Sequence, residues 1–193
     1  MSNKNLIFVP FAFKEGFESG KNVTKNNAFE LYCKNLCVAL VSAKCFNPND
    51  DVALVTNVTL TNEYQSLLEN AGVLIFQEPF DHFHFDKDYP WSLAFYKLCA
   101  LKKMVENRPY QNYAYMDADV IVQESFQTVW QECSDHILLY DINHGLGVRG
   151  YQTFVQQVRA FRPDLPLITH FGGEFFAANL ENAREFVAVA ESI

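Results

Sequence analysis

Residues 113–122 read Y-A-Y-M-D-A-D-V-I-V. Strand formers and small apolar residues surround two aspartates, Asp117 and Asp119. A carboxylate in such a setting needs a partner, because burying it unpaired is costly. In an extended chain, side chains two apart point to the same side. Asp117 and Asp119 are therefore expected to present carboxylates to one point, with Ala118 between them leaving the backbone accessible. Two hard oxygen donors converging at a strand end suit Mn2+ or Mg2+. A second D-x-D triplet, Asp86-Lys87-Asp88, lies in H-F-D-K-D-Y-P and reads as a solvated turn. Context separates the two: only the first has an apolar strand running into it and an apolar run behind it.

A chain of 193 residues fits a single domain spanning 1–193. With 49% hydrophobic and 20% charged residues, it has the composition of a soluble globular protein. Eighteen phenylalanines and nine tyrosines point to an aromatic-rich core or pocket. A net charge of −8 argues against nucleic acid as a partner. It also means that a phosphate-bearing ligand would need a metal to bring the anions together. No apolar run reaches the length of a membrane span, and the N-terminal apolar segment is too short for a signal peptide. Five cysteines, without C-x-x-C spacing, favour a reducing, cytoplasmic setting, with Cys33 and Cys37 as buried apolar residues. The sequons at Asn22 and Asn57 carry little weight without a secretory signal. The last helix has no glycine cap, so a longer natural protein is expected.

In order, residues 6–13 read as a buried strand and loop. A helix capped by Asn26 or Asn27 runs to about Lys44, and a strand follows at 51–58. A helix at 61–70 is closed by Gly72, and a third strand covers 73–76. This alternation predicts parallel strands with right-handed crossovers, a Rossmann-like half. A helix over 91–106 puts Lys97 in an apolar stripe with Leu93, Ala100 and Met104; Lys97 is either a snorkelling lysine or a cation aimed at the site. Lys102 and Lys103 lie off that stripe and read as solvated. A helix at 126–133, a strand at 136–141 and a helix at 151–161 follow. Between the last two, N-H-G-L-G-V-R-G (143–150) is glycine-rich without the G-x-x-x-x-G-K-S/T form of a P-loop, and reads as a mobile loop near the site. T-H-F-G-G-E-F-F-A-A-N (169–179) reads as a turn whose paired glycines allow close approach to a ligand, with Glu174 as a site residue. A last helix begins at Asn182, with Glu185 completing a capping box.

The alternating first half, then W-S-L-A-F-Y-K-L-C-A-L, Y-A-Y-M-D-A-D-V-I-V and H-F-G-G-E-F-F-A-A-N, resembles metal-dependent glycosyltransferases of the GT-A fold. The resemblance covers most of the chain and implies an α/β fold, a central and mostly parallel sheet flanked by helices. It implies a nucleotide-sugar donor, most often UDP-linked, a glycan or glycoprotein acceptor, and Mn2+ or Mg2+ as cofactor. By this resemblance Asp119 holds the metal and Asp117 contacts metal or ribose. Pro10, Phe11, Ala12 and Phe13 line the nucleotide, and Thr56 and Asn57 approach the base. Lys97, Met116, Ala118 and Gly173 lie against the donor, and Glu174 lies near the donor sugar or acceptor hydroxyl. Many members take a third metal ligand, often histidine, further along; here only His170 or His144 could serve.

The chemistry is coherent without the family. Moving a sugar off a diphosphate requires neutralising the leaving group, which a divalent ion and a nearby cation such as Lys97 supply. An inverting transfer also needs a general base, for which Glu174 is the candidate; in a retaining one Glu174 would stabilise the oxocarbenium-like sugar. A haloacid-dehalogenase-type phosphatase also uses D-x-D after an apolar strand, but no downstream acidic pair of its kind appears. A nucleotidyltransferase would need a glycine-rich basic loop where P-F-A-F-K-E-G-F stands. A binding module that kept the fold and lost turnover is the non-enzymatic alternative. Trp91, Phe83 and Phe85 could form an acceptor platform or serve packing.

Overall fold

The computed structural model describes residues 4–14, 28–85, 92–142, 151–165 and 168–193. Gly16, Gly20, Asn22, Asn26, Asn27, the Asp86-Lys87-Asp88 triplet, Trp91, His144 and the 143–150 loop lie outside the described residues.

Six strands form one sheet: β1 (Asn5–Phe11), β2 (Asp51–Thr56), β3 (Leu74–Gln77), β4 (Asn112–Met116), β5 (Leu138–Asp141) and β6 (Phe171–Asn179). Their spatial order is β3-β2-β1-β4-β6-β5. β1 pairs in parallel with β2 and β4, and β2 with β3; β6 runs antiparallel to both β4 and β5. The helices are α1 (Ala28–Phe46), α2 (Asn62–Asn70), α3 (Tyr96–Asn107, preceded by a 3-10 turn over Ser92–Phe95), α4 (Gln127–Glu132), α5 (Tyr151–Phe161) and α6 (Leu180–Glu191). The α/β class and the mostly parallel sheet match the sequence-based expectation.

The sequence of β1 explains its central place. Leu6, Ile7, Phe8 and Val9 are all fully buried, as a strand covered on both faces requires. Their alternation sends Leu6 and Phe8 to a core shared with α3 and α6 (Cys99, Leu101, Met104, Val187). Ile7 and Val9 enter the opposite core with Leu36, Leu40 and Ala43 of α1.

Three sequence-based boundaries differ, each for a local reason. β4 ends at Met116, and Ala118 and Asp119 form a turn rather than the extended chain expected to send both carboxylates to one side. Beyond it the backbone leaves the ladder: the Val122 N–H donates to the Ser42 hydroxyl (3.0 Å) and the Phe126 N–H to the Asn47 side-chain oxygen (2.7 Å). The apolar run survives as packing, with Val120 and Val122 against the α1 core and Ile121 exposed. The G-G-E segment is not a turn but part of the nine-residue strand β6. α6 begins at Leu180, because Asn179, and not a residue near Asn182, is its cap: its side-chain oxygen accepts from the Asn182 N–H at 2.8 Å.

Lys102 and Lys103 are not free in solvent. Lys102 pairs with Glu106 and with Glu191 (3.0 Å), and Lys103 with Asp81 (2.8 Å).

Because the Asn179 side chain also donates to the Ser134 carbonyl (3.1 Å), it joins α6 to the chain before β5. Asn179→Ala should cost about 1–2 kcal/mol in urea unfolding, and Asn179→Asp, which keeps the cap acceptor, distinctly less.

Candidate active site

The carboxyl ends of β1, β2 and β4 share one edge of the sheet, and β6, running the other way, starts there. In open α/β sheets this edge is where ligands are held. The Asp117 N–H donates to the Glu174 carbonyl (3.0 Å), which continues the β4–β6 ladder one step past Met116. On its other side β6 is irregular: Leu139 pairs with Phe176, but the next residue of β5, Tyr140, pairs with Gly172. Gly173, Glu174 and Phe175 therefore bulge away from β5, while Glu174 and Phe175 stay bonded to the β4 side. Such bulges re-aim side chains.

Lys97, in the first turn of α3, reaches this point. Its ammonium forms an ion pair with Asp117 and donates to the Gly173 carbonyl at 2.8 Å. Both partners of the ion pair are partly sheltered, with side chains 20% and 26% exposed. Lys97 thus directs its ammonium at Asp117 and the start of β6. Burial raises the Asp117 carboxyl above its ordinary value of 3.8; Lys97 pulls it down, while Asp119 and Glu174 push it up. Asp119 sits exposed on the turn, and Glu174 is also exposed. A Cβ on Gly172 would lie 1.7 Å from Glu174 Oε2 and 2.8 Å from a methyl of Ile142, so the Glu174 carboxylate folds back over Gly172. On Gly173, a Cβ would meet only Lys97, at 3.5 Å. Gly172 is thus the glycine whose missing side chain the site uses.

The loop after β1 stands on an aromatic cluster. Phe13 packs edge-on against Phe29 (5.0 Å between ring centres), and Phe11 lies 5.9 Å from Tyr32. Pro10 and Ala12 are half-buried, Ala12 against the core on the other face of the sheet. The Asn57 side-chain oxygen accepts from the Phe13 N–H (3.1 Å), and the buried Thr56 hydroxyl accepts from the Val58 N–H (3.2 Å). These two polar side chains shape the loops that surround the site, a role the sequence did not announce. Ala118 packs towards α1, and Met116 is buried.

Three residues with two open readings in the sequence make packing contacts. His170 stacks on Phe154 (4.3 Å, 19°). Phe83 packs against the core, and Phe85 lies on Phe95 (4.3 Å). Among the described residues, no third His, Cys, Asp or Glu joins Asp117 and Asp119 within chelating reach of one ion; the group of that kind is Asp81, His82 and Cys99.

No protein-family model matches the chain, and no curated protein matches its sequence. Solved structures do match its fold. The galactosyltransferase LgtC, determined with donor and acceptor sugar analogues, superimposes with a TM-score of 0.53 at 15% identity, over 94% of this chain and 59% of LgtC. The glycosyltransferase GlyE from Streptococcus pneumoniae gives 0.51 at 12% identity, over 99% of this chain and 39% of GlyE. The chain has the fold of these GT-A glycosyltransferases and spans less than two thirds of the length of either.

Lys97 lowers the Asp117 pKa, so Lys97→Met should raise it further, as read by carbon NMR titration of the Asp117 carboxyl. A raised carboxyl stabilises the fold below its unfolded value, and that contribution is lost as pH rises through the folded value. Stability of the variant should therefore fall more, relative to the parent, on going from about pH 4 to neutrality. Gly172→Ala should lower stability in urea unfolding, because both the Glu174 carboxylate and the Ile142 methyl must give way, and a structure of the variant should show that carboxylate displaced.

Proposed function

We propose that the chain is a glycosyltransferase that moves a hexose-type sugar from a nucleotide-diphosphate donor, a UDP-sugar above all, to a hydroxyl of a glycan or other acceptor. The observation that carries this reading is the meeting of Lys97, Asp117 and the Gly173–Glu174 segment at the carboxyl edge of a GT-A sheet.

The donor set suits Mn2+ or Mg2+. Asp117 is partly desolvated, and two further carboxylates, Asp119 and Glu174, act on it against the single cation Lys97. That is an excess of hard, negative oxygen. Asp117 and Asp119 would hold the ion, which when bound supplies charge to the departing diphosphate. The rest falls to the chain. The loop of Pro10, Phe11, Ala12 and Phe13 and the Thr56–Asn57 corner would cradle the nucleotide, their backbone fixed by the hydrogen bonds to the Asn57 and Thr56 side chains. Met116 and Ala118 would flank it. Lys97, already facing an anion, would turn part of its charge to the phosphate. Gly173 leaves room for the sugar to approach backbone. Glu174, exposed and close enough to Asp117 to act on its charge, would take the acceptor proton or stabilise the oxocarbenium-like sugar.

The first test is thermal stability against nucleotide diphosphates and nucleotide sugars, with and without Mn2+. A ligand at 100 times its Kd stabilises by about 2.7 kcal/mol. At roughly 2–4 °C per kcal/mol, this is a shift of several degrees. A Mn2+-dependent shift with UDP or a UDP-sugar is expected, and Asp119→Ala should remove it. Glu174→Gln should keep the shift and slow transfer by roughly 10²–10⁴-fold. No shift with any nucleotide would defeat the proposal, and a shift without release of free nucleotide would leave a binding module.

A further inference from the structure

Away from this site, the loop after β3 meets α3 in a cluster with its own chemistry. Asp81, His82 and Cys99 each bring one ligand atom, and these three atoms lie within 4.8 Å of one another. Cys99 Sγ lies 3.7 Å from Asp81 Oδ1, and His82 Nδ1 lies 2.7 Å from the same oxygen. Tetrahedral zinc with its usual Zn–S and Zn–O bonds sets sulfur and oxygen about 3.6 Å apart, close to the separation found. Nitrogen and oxygen would stand about 3.3 Å apart, which asks a half-exposed histidine to swing by about half an ångström. The other Asp81 oxygen is held by Lys103 (2.8 Å), which leaves Oδ1 turned towards Cys99 and His82, as a supporting partner does in a metal site. The thiol is buried beneath the loop, while Asp81 and His82 face solvent. A water could therefore complete the coordination.

We propose that Asp81, His82 and Cys99 form a site for a borderline divalent ion of the zinc class, separate from the carboxylates at Asp117. One thiolate, one imidazole and one carboxylate select such an ion over Mg2+ or Ca2+. Binding replaces the Cys99 S–H by a metal–sulfur bond and releases that proton to solvent. The thiol's present contact with the Pro79 carbonyl (3.4 Å) is given up. The ion ties the loop after β3 to α3, and this reading does not depend on the glycosyltransferase proposal.

The test is titration of the chelator-stripped full chain with Co2+, in a Cys45→Ser background that removes the exposed thiol. One equivalent of Co2+ with a thiolate-to-cobalt absorption band is expected, equally in Asp119→Ala. Cys99→Ala should abolish the band. His82→Ala, a change at the protein surface that leaves the core intact, should weaken Zn2+ binding at least by the roughly 10–100-fold that loss of a supporting partner costs, measured by chelator competition. A band that survives in Cys99→Ala, unchanged Zn2+ affinity in His82→Ala, or no thiolate band at saturating Co2+ would overturn the site.

Discussion

The candidate site depends on the direction of β6. Every strand that pairs in parallel with β1 or β2 ends at the edge where the site lies; β6 begins there because it runs antiparallel beside β4. That reversal lets the last residue of one strand and the first residues of another face each other through an ordinary ladder bond, Asp117 N–H to Glu174 carbonyl. A parallel β6 would carry Gly173 and Glu174 to the far edge. The strand is divided in function along its length. Phe176, Ala177 and Ala178 are fully buried and hold it in the sheet, while Gly173 and Glu174 are exposed and free of β5. Of the two glycines, Gly172 is the one this division needs, because it leaves space for the Glu174 carboxylate, while position 173 contributes its backbone carbonyl to Lys97.

Charge at this edge is poised rather than neutral. Burial opposes ionisation of Asp117, Lys97 favours it, and Asp119 and Glu174 oppose it; the outcome is a carboxyl above its ordinary value. A lone buried carboxylate beside a lysine would settle as a structural ion pair, and removing either partner would be its main consequence. Here the added acids keep the site short of positive charge after the pair has formed. Tyr115, directly behind them in β4, registers the same field: its hydroxyl is pushed upward by burial first, then by Asp117 and Glu174.

The sequence carried the sheet because both signals it needed are local. Continuous apolar runs mark strands buried on two faces, and their alternation with helical spacing marks parallel crossovers; β1, β2, α1 and α2 fell within a few residues of expectation. Lys97 was legible as an anomaly in an apolar stripe. What failed were places where a side chain far away in sequence decides the backbone. After the turn at Ala118–Asp119, Ser42 and Asn47 of the chain around α1 take the Val122 and Phe126 amides. The G-G-E segment looks like a turn because glycine usually marks one, yet β5 pairs with Gly172 and the Asp117 amide with Glu174, which extends it. His170 stacks on Phe154, a contact between a helix and the start of β6 that no local pattern announces. The Asp81–His82–Cys99 group was invisible because its members come from a loop and a helix that only the fold brings together.

The aim of Lys97 is fixed by contacts on the far side of its own helix. Tyr96, Cys99 and Lys103 lie along one stripe of α3, and all three bind the segment after β3: the Tyr96 hydroxyl to the Glu78 carbonyl (2.8 Å), the Cys99 thiol to the Pro79 carbonyl (3.4 Å), and Lys103 to Asp81 (2.8 Å). Phe80 closes the seam by packing edge-on against Tyr96 (5.2 Å). The same helix is also held by Leu101 and Met104 in the core and by Lys102 paired with Glu191 of α6, so the seam is one of several constraints on where Lys97, the neighbour of Tyr96, stands. Because a charge placed about 1 Å out of position loses much of its effect on a reacting group, the seam bears on the site without touching it. An ion held by Asp81, His82 and Cys99 would sit within that seam and add to these constraints.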